Sequence, residues 1–170
     1  MLAEQRRQAV MDSLRGADRP ISATALAAQF SVSRQVIVGD VALLRASGEQ
    51  IVATPRGYVI AHAPAGILRQ VAVQHDFDRM AEELYAIVDQ GCIVVDVIVE
   101  HPIYGELKAP LELSSRYDVG LFLERCTQSE AQPLSRLTEG IHLHTVACPN
   151  EGAFLRVREA LQSKGFLLKA

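Results

Sequence analysis

Two histidines separated by a single residue, His142 and His144, are the side chains of this sequence best suited to chemistry. They lie in the apolar run 141–148, whose pattern predicts a buried strand. Because strand side chains alternate between faces, both imidazoles would share one face, with Cα atoms about 6.5 to 7 Å apart. Imidazole is a common ligand of transition metals, so the pair predicts a metal site. The alternative is a solvated strand face that carries two polar residues.

His75 and Glu83 are the candidates for completing such a site. Residues 77–88 have helical spacing and Gly91 follows as a stop, so Glu83 is predicted to lie on a helix. If that helix included His75, eight residues would separate the two side chains by about 12 Å, too far for one ion. The distance shortens if His75 lies in an extended segment before the helix, because helical side chains lean toward the N-terminus. Taken alone, Glu83 is more typical of a solvated helix position.

The elements predicted around these residues form one α+β domain of about 105 residues, a usual domain size. Runs of β-branched residues predict strands, and Ser, Asn and Gly at their borders predict helix caps and stops. In chain order we expect the helix at 77–88, strands at 92–99 and 106–111 around a turn at 101–105, a helix capped by Ser114 or Ser115, the strand at 141–148, a helix capped by Asn150, and a short strand at 166–167 after Gly165.

The first sixty residues predict three helices followed by a hairpin, which is the order of a winged helix-turn-helix. Helices are expected at 6–14, at 23–30 after Ser22 and at 34–46 after Ser33, with strands at 50–53 and 57–60. In the third helix Ile37, Val41 and Leu44 repeat at helical spacing toward a small core. The N-terminal residues of that helix would then face base edges in the major groove.

DNA contacts are therefore expected from the start of the third helix and from the tip of the hairpin. Arg and Gln suit the edges of guanine and adenine, and Val can meet a thymine methyl group. An arginine at the wing tip is placed for a phosphate or minor-groove contact. The predicted DNA-binding residues are Ser33, Arg34, Gln35, Val38, Arg45 and Arg56. The alternative is a small helical domain that mediates protein contacts.

The composition of the 170 residues is that of an ordinary globular protein, since 49% are hydrophobic and 22% are charged. No apolar run reaches the roughly 18 to 20 residues of a membrane span, and no signal peptide is evident. The three distant cysteines are typical of reduced thiols in a cytoplasmic protein. Residues 1–60 carry seven basic and five acidic residues, whereas residues 61–170 carry ten basic and fifteen acidic ones. This asymmetry indicates an anion-binding N-terminal part.

The N-terminal part resembles the winged helix of the biotin-repressor type. The resemblance is carried by Leu26-Ala27-Ala28, Val32-Ser33-Arg34, Ile37, Val41, Leu43-Leu44-Arg45, Gly48 and the wing Gly57-Tyr58. Gly39 departs from it, because a longer polar residue is more usual there and glycine within a helix costs about 1 kcal/mol relative to alanine. Gly39 either permits close approach of the backbone to DNA or is simply tolerated.

The chain as a whole, from about residue 6 to residue 166, resembles the niacin-responsive repressors of NAD biosynthesis and niacin uptake. In that family a winged helix precedes a three-histidine (3H) domain, here expected at 1–62 and 66–170. The residues that carry the likeness are His75, Glu83, the turn at 101–105 and His142-Leu143-His144-Thr145. The resemblance implies an α+β fold with an α/β sandwich-like second domain. It also implies one divalent ion (Ni, Zn, Fe or Co) held by His75, Glu83, His142 and His144.

The same resemblance implies nicotinic acid as co-repressor, double-stranded operator DNA as partner and a homodimer formed by the second domain. Arg116, at the predicted start of a helix, is a candidate partner for the effector's carboxylate. His101 could line the effector pocket and Tyr104 could stack on the pyridine ring. The alternatives are structural, with His101 bonded to the backbone at a strand end and Tyr104 in the core.

The sequence thus predicts a ligand-responsive transcription repressor and not an enzyme. Two other functions stay open: a sensor for which the metal itself is the signal, and a metal-dependent hydrolase with a fused helical module. Four protein ligands would crowd a hydrolytic metal, and no nucleophile or general-base motif is evident nearby.

Overall fold

A computed structural model of the chain describes residues 2–61 and 65–169. Its contacts divide the chain into two compact units, residues 1–63 and 64–170, each with its own hydrophobic core. The predicted boundary between the domains, from residue 62 to residue 66, falls in part on residues 62–64, which lie outside the described residues. Within the described ranges, no helix combines the length and the apolar character that crossing a membrane requires.

The N-terminal unit consists of three helices and a two-stranded antiparallel hairpin, in the predicted order. The helices are α1 (Ala3–Arg15), α2 (Ala23–Gln29) and α3 (Arg34–Ala46), and the strands are β1 (Ile51–Thr54) and β2 (Gly57–Ile60). The apolar stripe of α3 faces the core, where Ile37 and Val41 are buried against Leu26 of α2. This packing turns the opposite face of α3 outward.

Serine hydroxyls begin the two helices of the helix-turn-helix pair. Ser22 accepts a hydrogen bond from the amide of Ala25 at 3.1 Å, and Ser33 accepts one from the amide of Val36 at 3.3 Å. Each bond satisfies one of the amides that the first turn of a helix leaves unpaired. Both predicted N-caps are confirmed.

A buried ion pair fixes α3 against α1. Asp40, on α3, is 4% exposed. The Nε atom of Arg6 lies 2.6 Å from its Oδ2, and a terminal nitrogen of Arg6 lies 3.3 Å from its Oδ1. Arg7 approaches the same carboxylate at 3.8 Å. Two-point arginine contacts are geometrically restrictive, so the pair limits rotation of α3 about its own axis.

The C-terminal unit is a four-stranded sheet covered by helices. Its strands are β3 (Ile67–Gln74), β4 (Ile93–His101), β5 (Gly105–Leu113) and β6 (Ile141–Cys148), and its helices are α4 (Met80–Val88), α5 (Arg116–Gln128) and α6 (Glu151–Ser163). Short 3-10 segments lie at Phe77–Arg79 and Leu134–Thr138. Ser115 and Asn150 cap α5 and α6, as predicted.

All neighbouring strands of this sheet are antiparallel, in the order β3-β6-β4-β5. Alternate residues of the strands, such as Val73, Val94 and Val146, are buried against apolar residues of the helices, such as Leu84 and Leu161. Every second residue of β6 therefore faces the helical layer. The α+β fold class is confirmed, as one sheet with its helices packed on it.

Three details differ from the sequence-based prediction. The strand β3 has no counterpart among the predicted elements. The predicted helix at 77–88 begins as a 3-10 turn, and α4 itself starts only at Met80. The predicted strand at 166–167 is a single bridge from Leu167 to Val73. The mixed exposure of β3 gives a weak periodic signal, which explains its omission.

Two glycine substitutions test the N-terminal unit. We expect Gly39→Ala to raise its free energy of unfolding by about 0.5–1 kcal/mol, because an added Cβ would meet no atom within 4 Å. Gly57→Ala should instead lower the free energy of unfolding. Gly57 has φ +138°, and an added Cβ would lie 2.4 Å from the carbonyl oxygen of Ile21. Native-state hydrogen exchange of α3 amides measures both. A destabilised Gly39→Ala or an unaffected Gly57→Ala would contradict this description.

Candidate functional site

Four polar side chains from three parts of the C-terminal unit meet between the sheet and α4. His75 follows β3, Glu83 lies on α4, and His142 and His144 lie on β6 with their side chains on the helix-covered face. All four are buried, and Glu83 is fully so. His75 lies before the helix, the arrangement that the sequence analysis required if His75 and Glu83 were to share an ion.

The Glu83 carboxylate is the centre of this cluster. Its Oε2 lies 2.5 Å from Nε2 of His75, and its Oε1 lies 3.3 Å from Nε2 of His142 and 3.2 Å from Nε2 of His144. Potential ligand atoms of His75, Glu83 and His142 all lie within 4.8 Å of one another. His144 joins the set through Glu83.

In each of the three imidazoles of the cluster, Nδ1, the nitrogen that does not face Glu83, faces a main-chain carbonyl. The Nδ1–O distances are 2.8 Å from His75 to Asp76, 2.8 Å from His142 to Gly140 and 2.6 Å from His144 to Asp96. A carbonyl oxygen only accepts hydrogen bonds, so each Nδ1 must carry a proton. In the neutral ring the Nε2 lone pair then points at Glu83. Metal-ligating histidines commonly show this arrangement.

When the imidazoles are neutral, the three Nε2 atoms and the Glu83 carboxylate therefore present lone pairs to one another, and no hydrogen atom lies between them. Within the described residues, Oε1 of Glu83 is a buried oxygen with no hydrogen-bond partner. A buried carboxylate without a partner is strongly unfavourable. Three imidazole nitrogens and one carboxylate oxygen are ligands that zinc, nickel, cobalt and iron accept. The residues present thus fit a divalent transition metal ion.

The electrostatics of the cluster favour a cation at its centre. Burial alone would raise the pKa of Glu83, but the charge of a protonated His144 and hydrogen bonds from protonated His142, His144 and His75 hold that pKa well below its usual value. Burial would lower the pKa of His75 and of His144, but the Glu83 carboxylate raises both. The same carboxylate would attract a metal ion in place of those protons.

The turn before β6 helps to orient two of the histidines. Gly140 has φ +86°, and a Cβ there would lie 2.3 Å from the carbonyl oxygen of His75. The backbone of Gly140 therefore packs directly on the backbone of His75 while its own carbonyl holds His142. The ring of Phe166 lies against His75 with 5.1 Å between centroids. The two backbone contacts of Gly140 are not evident from the sequence, since backbone groups leave no signal in residue types.

The structure does not bring the three predicted effector residues into this cluster. In the described part of the chain, no hydrogen bond, ion pair or ring contact joins His101, Tyr104 or Arg116 to it. Nδ1 of His101 accepts from the amides of Ile103 and Tyr104 at 3.1 and 3.3 Å, which matches its structural alternative. Tyr104 is 73% exposed and so does not lie in the core.

Arg116 is engaged elsewhere. Its guanidinium donates to both carboxylate oxygens of Asp89 at 2.7 and 2.6 Å and lies 4.5 Å from the ring centroid of Tyr85. These contacts engage Nε and one terminal nitrogen of the guanidinium and hold it against Asp89. A role for Arg116 in effector binding stays a prediction.

A pocket of about 310 Å³ adjoins His75 and offers a different arginine. Its lining is His75, Asp76, Phe77, Asp78, Ser135, Arg136, Glu139 and Gly140. Arg136 is the cation of this lining, with its guanidinium carbon 5.5 Å from the centroid of the Phe77 ring. The pocket has a size at the low end for small-molecule sites.

In the N-terminal unit, the predicted DNA contacts fall on two elements. Ser33, the N-cap of α3, is exposed, as are Arg34, Gln35 and Arg45 on the helix. Among the described residues neither Arg34 nor Arg45 takes part in an ion pair. Val38 is half-buried against the core, which restricts what it can offer a base. Arg56 is half-buried at the hairpin turn between β1 and β2.

Val36, on the outward side of α3, was not among the predicted DNA contacts. Val36 is 37% exposed on the first turn of the helix, next to Gln35. The stripe of Ile37 and Val41 determines which face of α3 is outward, so a helical projection could have found it.

Comparison with known proteins agrees with both units. An HTH domain family matches residues 6–59, and the 3H domain family matches residues 68–170. A Thermotoga maritima protein named "Probable transcription repressor NiaR" is 43% identical over 166 residues, covering 98% of this chain and 95% of that protein. The Bacillus subtilis "Transcription repressor NadR" is 38% identical over 173 residues, covering 99% and 96%. The helix-turn-helix and 3H resemblances found in the sequence are thereby confirmed, and this chain belongs to the 3H-domain family, with an HTH domain at its N-terminus.

Proposed function

We propose that this protein is a DNA-binding transcription repressor whose C-terminal unit holds a divalent metal ion and responds to nicotinic acid. In this proposal residues 1–62 bind operator DNA, and residues 66–170 bind the metal and effector and form a homodimer. The names of the two relatives support repression and not catalysis. The three imidazoles directed at the buried Glu83 carboxylate are the observation that carries the metal part of the proposal.

DNA recognition is assigned to the outward face of α3 and to the hairpin. Ser33, Arg34 and Gln35 stand at the N-terminal end of α3, which enters the major groove in helix-turn-helix proteins. The buried ion pair of Arg6 with Asp40 limits the rotation of α3 and so keeps that face outward. Two such helices, about 34 Å apart in a homodimer, would read half-sites one turn of DNA apart.

The metal would be held by His75, Glu83, His142 and His144. When bound, it supplies a Lewis acid to which the pyridine nitrogen or the carboxylate of nicotinate can bind. The chain's own contribution is orientation: three carbonyls fix the imidazole tautomers, and burial excludes water. The expected ion is nickel, zinc, iron or cobalt.

The effector is proposed to bind in the pocket beside His75. Phe77 offers an aromatic ring there, and Arg136 offers the cation that a carboxylate needs in a lining that also carries Asp76, Asp78 and Glu139. For nicotinate to act as co-repressor, it must bind the DNA-competent state more tightly, and DNA must reciprocally tighten nicotinate binding. In the alternative function, a metal sensor, the metal ion itself would bind the DNA-competent state more tightly.

Metal content tests the four assigned ligands. Replacing His142 or His144 by Ala, or Glu83 by Gln, is expected to abolish metal retention in the purified full chain, because each change removes one of the four side chains assigned to the ion. Elemental analysis is the measurement, and circular dichroism checks the fold. His101→Ala is the matched control and should retain the metal. Unchanged metal content in the ligand variants would refute the assignment.

DNA affinity with and without effector tests the proposed regulation. We expect nicotinate to tighten binding to duplexes from niacin-uptake or NAD-synthesis promoters, measured by fluorescence anisotropy at one fixed salt concentration. Nicotinamide, which lacks the carboxylate, should have no effect. Binding that ignores nicotinate but depends on added metal would favour the metal sensor.

Two arginine variants locate the effector carboxylate. Arg136→Ala is expected to weaken the nicotinate response at least tenfold with unchanged DNA affinity in the absence of effector, because a charge-assisted hydrogen bond is worth about 1.5–3 kcal/mol. Arg116→Ala should leave the response intact, since Arg116 is paired with Asp89. Titration of nicotinate in the anisotropy assay compares the two variants. A weakened response in Arg116→Ala with an intact response in Arg136→Ala would assign the carboxylate to Arg116.

A further inference from the structure

The hydrogen-bond ladder between β4 and β6 is irregular beside the metal cluster. Val94 stands opposite Val146, and Ile98 stands opposite Leu143. Four steps along β4 thus correspond to three steps along β6, so β4 carries one extra residue in this interval. Such a bulge breaks the ladder locally and leaves backbone groups without their usual partners.

Asp96 lies inside this bulge and makes two hydrogen bonds to consecutive residues of β6. Its carboxylate Oδ1 accepts from the amide of Thr145 at 3.0 Å, and its main-chain carbonyl accepts from Nδ1 of His144 at 2.6 Å. Asp96 is 1% exposed. An aspartate so deeply buried needs a specific reason, because burying a carboxylate is unfavourable unless it is paired.

We propose that Asp96 is a positioning residue for the metal ligand His144, an inference that rests on the metal site proposed above. In a regular ladder the amide of a β6 residue would bond to a main-chain carbonyl of β4. Here the Asp96 side chain takes over the amide of Thr145. The Asp96 carbonyl is thereby released to hold the imidazole of His144 with Nε2 directed at Glu83.

Lys108 completes the arrangement from the neighbouring strand. Its Nζ lies 3.0 Å from Oδ2 of Asp96, and Lys108 stands opposite Ile98 in the β4–β5 ladder. The ammonium group offsets the charge of the carboxylate while remaining half exposed, at 53%. Each oxygen of the buried Asp96 carboxylate thus has a neighbour of its own, the Lys108 ammonium at Oδ2 and the Thr145 amide at Oδ1.

The alternative is that Asp96 only stabilises the sheet. In that case, removing its side chain would lower stability but would leave the tautomer of His144 unchanged. If Asp96 positions His144, the unpaired Thr145 amide competes for the released carbonyl, because a buried amide without a partner costs about 1–3 kcal/mol. The imidazole of His144 would then lose its fixed Nδ1–H tautomer.

Two variants of the full chain separate these explanations. Asp96→Ala removes the acceptor for Thr145, whereas Asp96→Asn keeps an oxygen at the same place. We expect Asp96→Ala to weaken Zn²⁺ binding by about 10- to 100-fold, the usual effect of losing a group that orients a metal ligand. Asp96→Asn should stay within about threefold of the parent protein. Competition with a chromophoric chelator measures both affinities.

Long-range ¹H–¹⁵N NMR of the metal-free protein supplies a second readout. Nδ1 of the His144 ring should be fully protonated in the parent chain and in Asp96→Asn, whether or not Nε2 also carries a proton, and only partly protonated in Asp96→Ala. An unchanged tautomer and unchanged Zn²⁺ affinity in Asp96→Ala would overturn the inference. If the parent chain binds no Zn²⁺ at all, the metal proposal fails, while the tautomer still decides the role of Asp96.

A third measurement needs no variant, in case Asp96→Ala does not fold. Scalar coupling across hydrogen bonds identifies the acceptor of the Thr145 amide in isotope-labelled parent protein. We expect a correlation from this amide to the side-chain carboxyl carbon of Asp96. A correlation to a main-chain carbonyl instead would show that the ladder is regular and that the inference is wrong.

Discussion

The packing of the C-terminal unit depends on one buried carboxylate, that of Glu83, and on the positive charge that neutralises it. Glu83 is fully buried on α4, and three imidazole nitrogens lie within 3.3 Å of its oxygens. Main-chain carbonyls bind the opposite nitrogen of each ring, so neutral imidazoles offer Glu83 only lone pairs. Protons on the Nε2 atoms or a metal ion must therefore occupy the space between them. This requirement couples the electrostatics of the site to the packing of α4 on the sheet.

Much of the surrounding backbone serves this geometry at points where regular structure is interrupted. Asp76 begins the 3-10 turn before α4, Gly140 ends a left-handed turn, and Asp96 lies in the bulge of β4. Each of these residues supplies the carbonyl that orients one imidazole. A carbonyl inside a regular strand or helix already has a partner, so irregular backbone is where a free acceptor can be found.

Residue types and spacing predicted the elements that have local signals. The caps Ser22 and Ser33 follow from short-range chemistry, and the alternation of β6 places His142 and His144 on one face. Placing His75 near Glu83 needed the family resemblance, because the residues alone left the distance open. The strand β3 was missed since its exposure pattern is mixed, and the roles of Asp96 and Gly140 arise from backbone contacts that composition does not encode.

The metal proposal requires that His75, Glu83, His142 and His144 hold one ion together. Anomalous diffraction from crystals of the metal-loaded full chain, recorded at the absorption edge of the ion, would locate it. One anomalous peak per chain is expected, about 2.0–2.2 Å from the three Nε2 atoms and from an oxygen of Glu83. A peak coordinated by other side chains, or loaded crystals with no peak between these four residues, would contradict it.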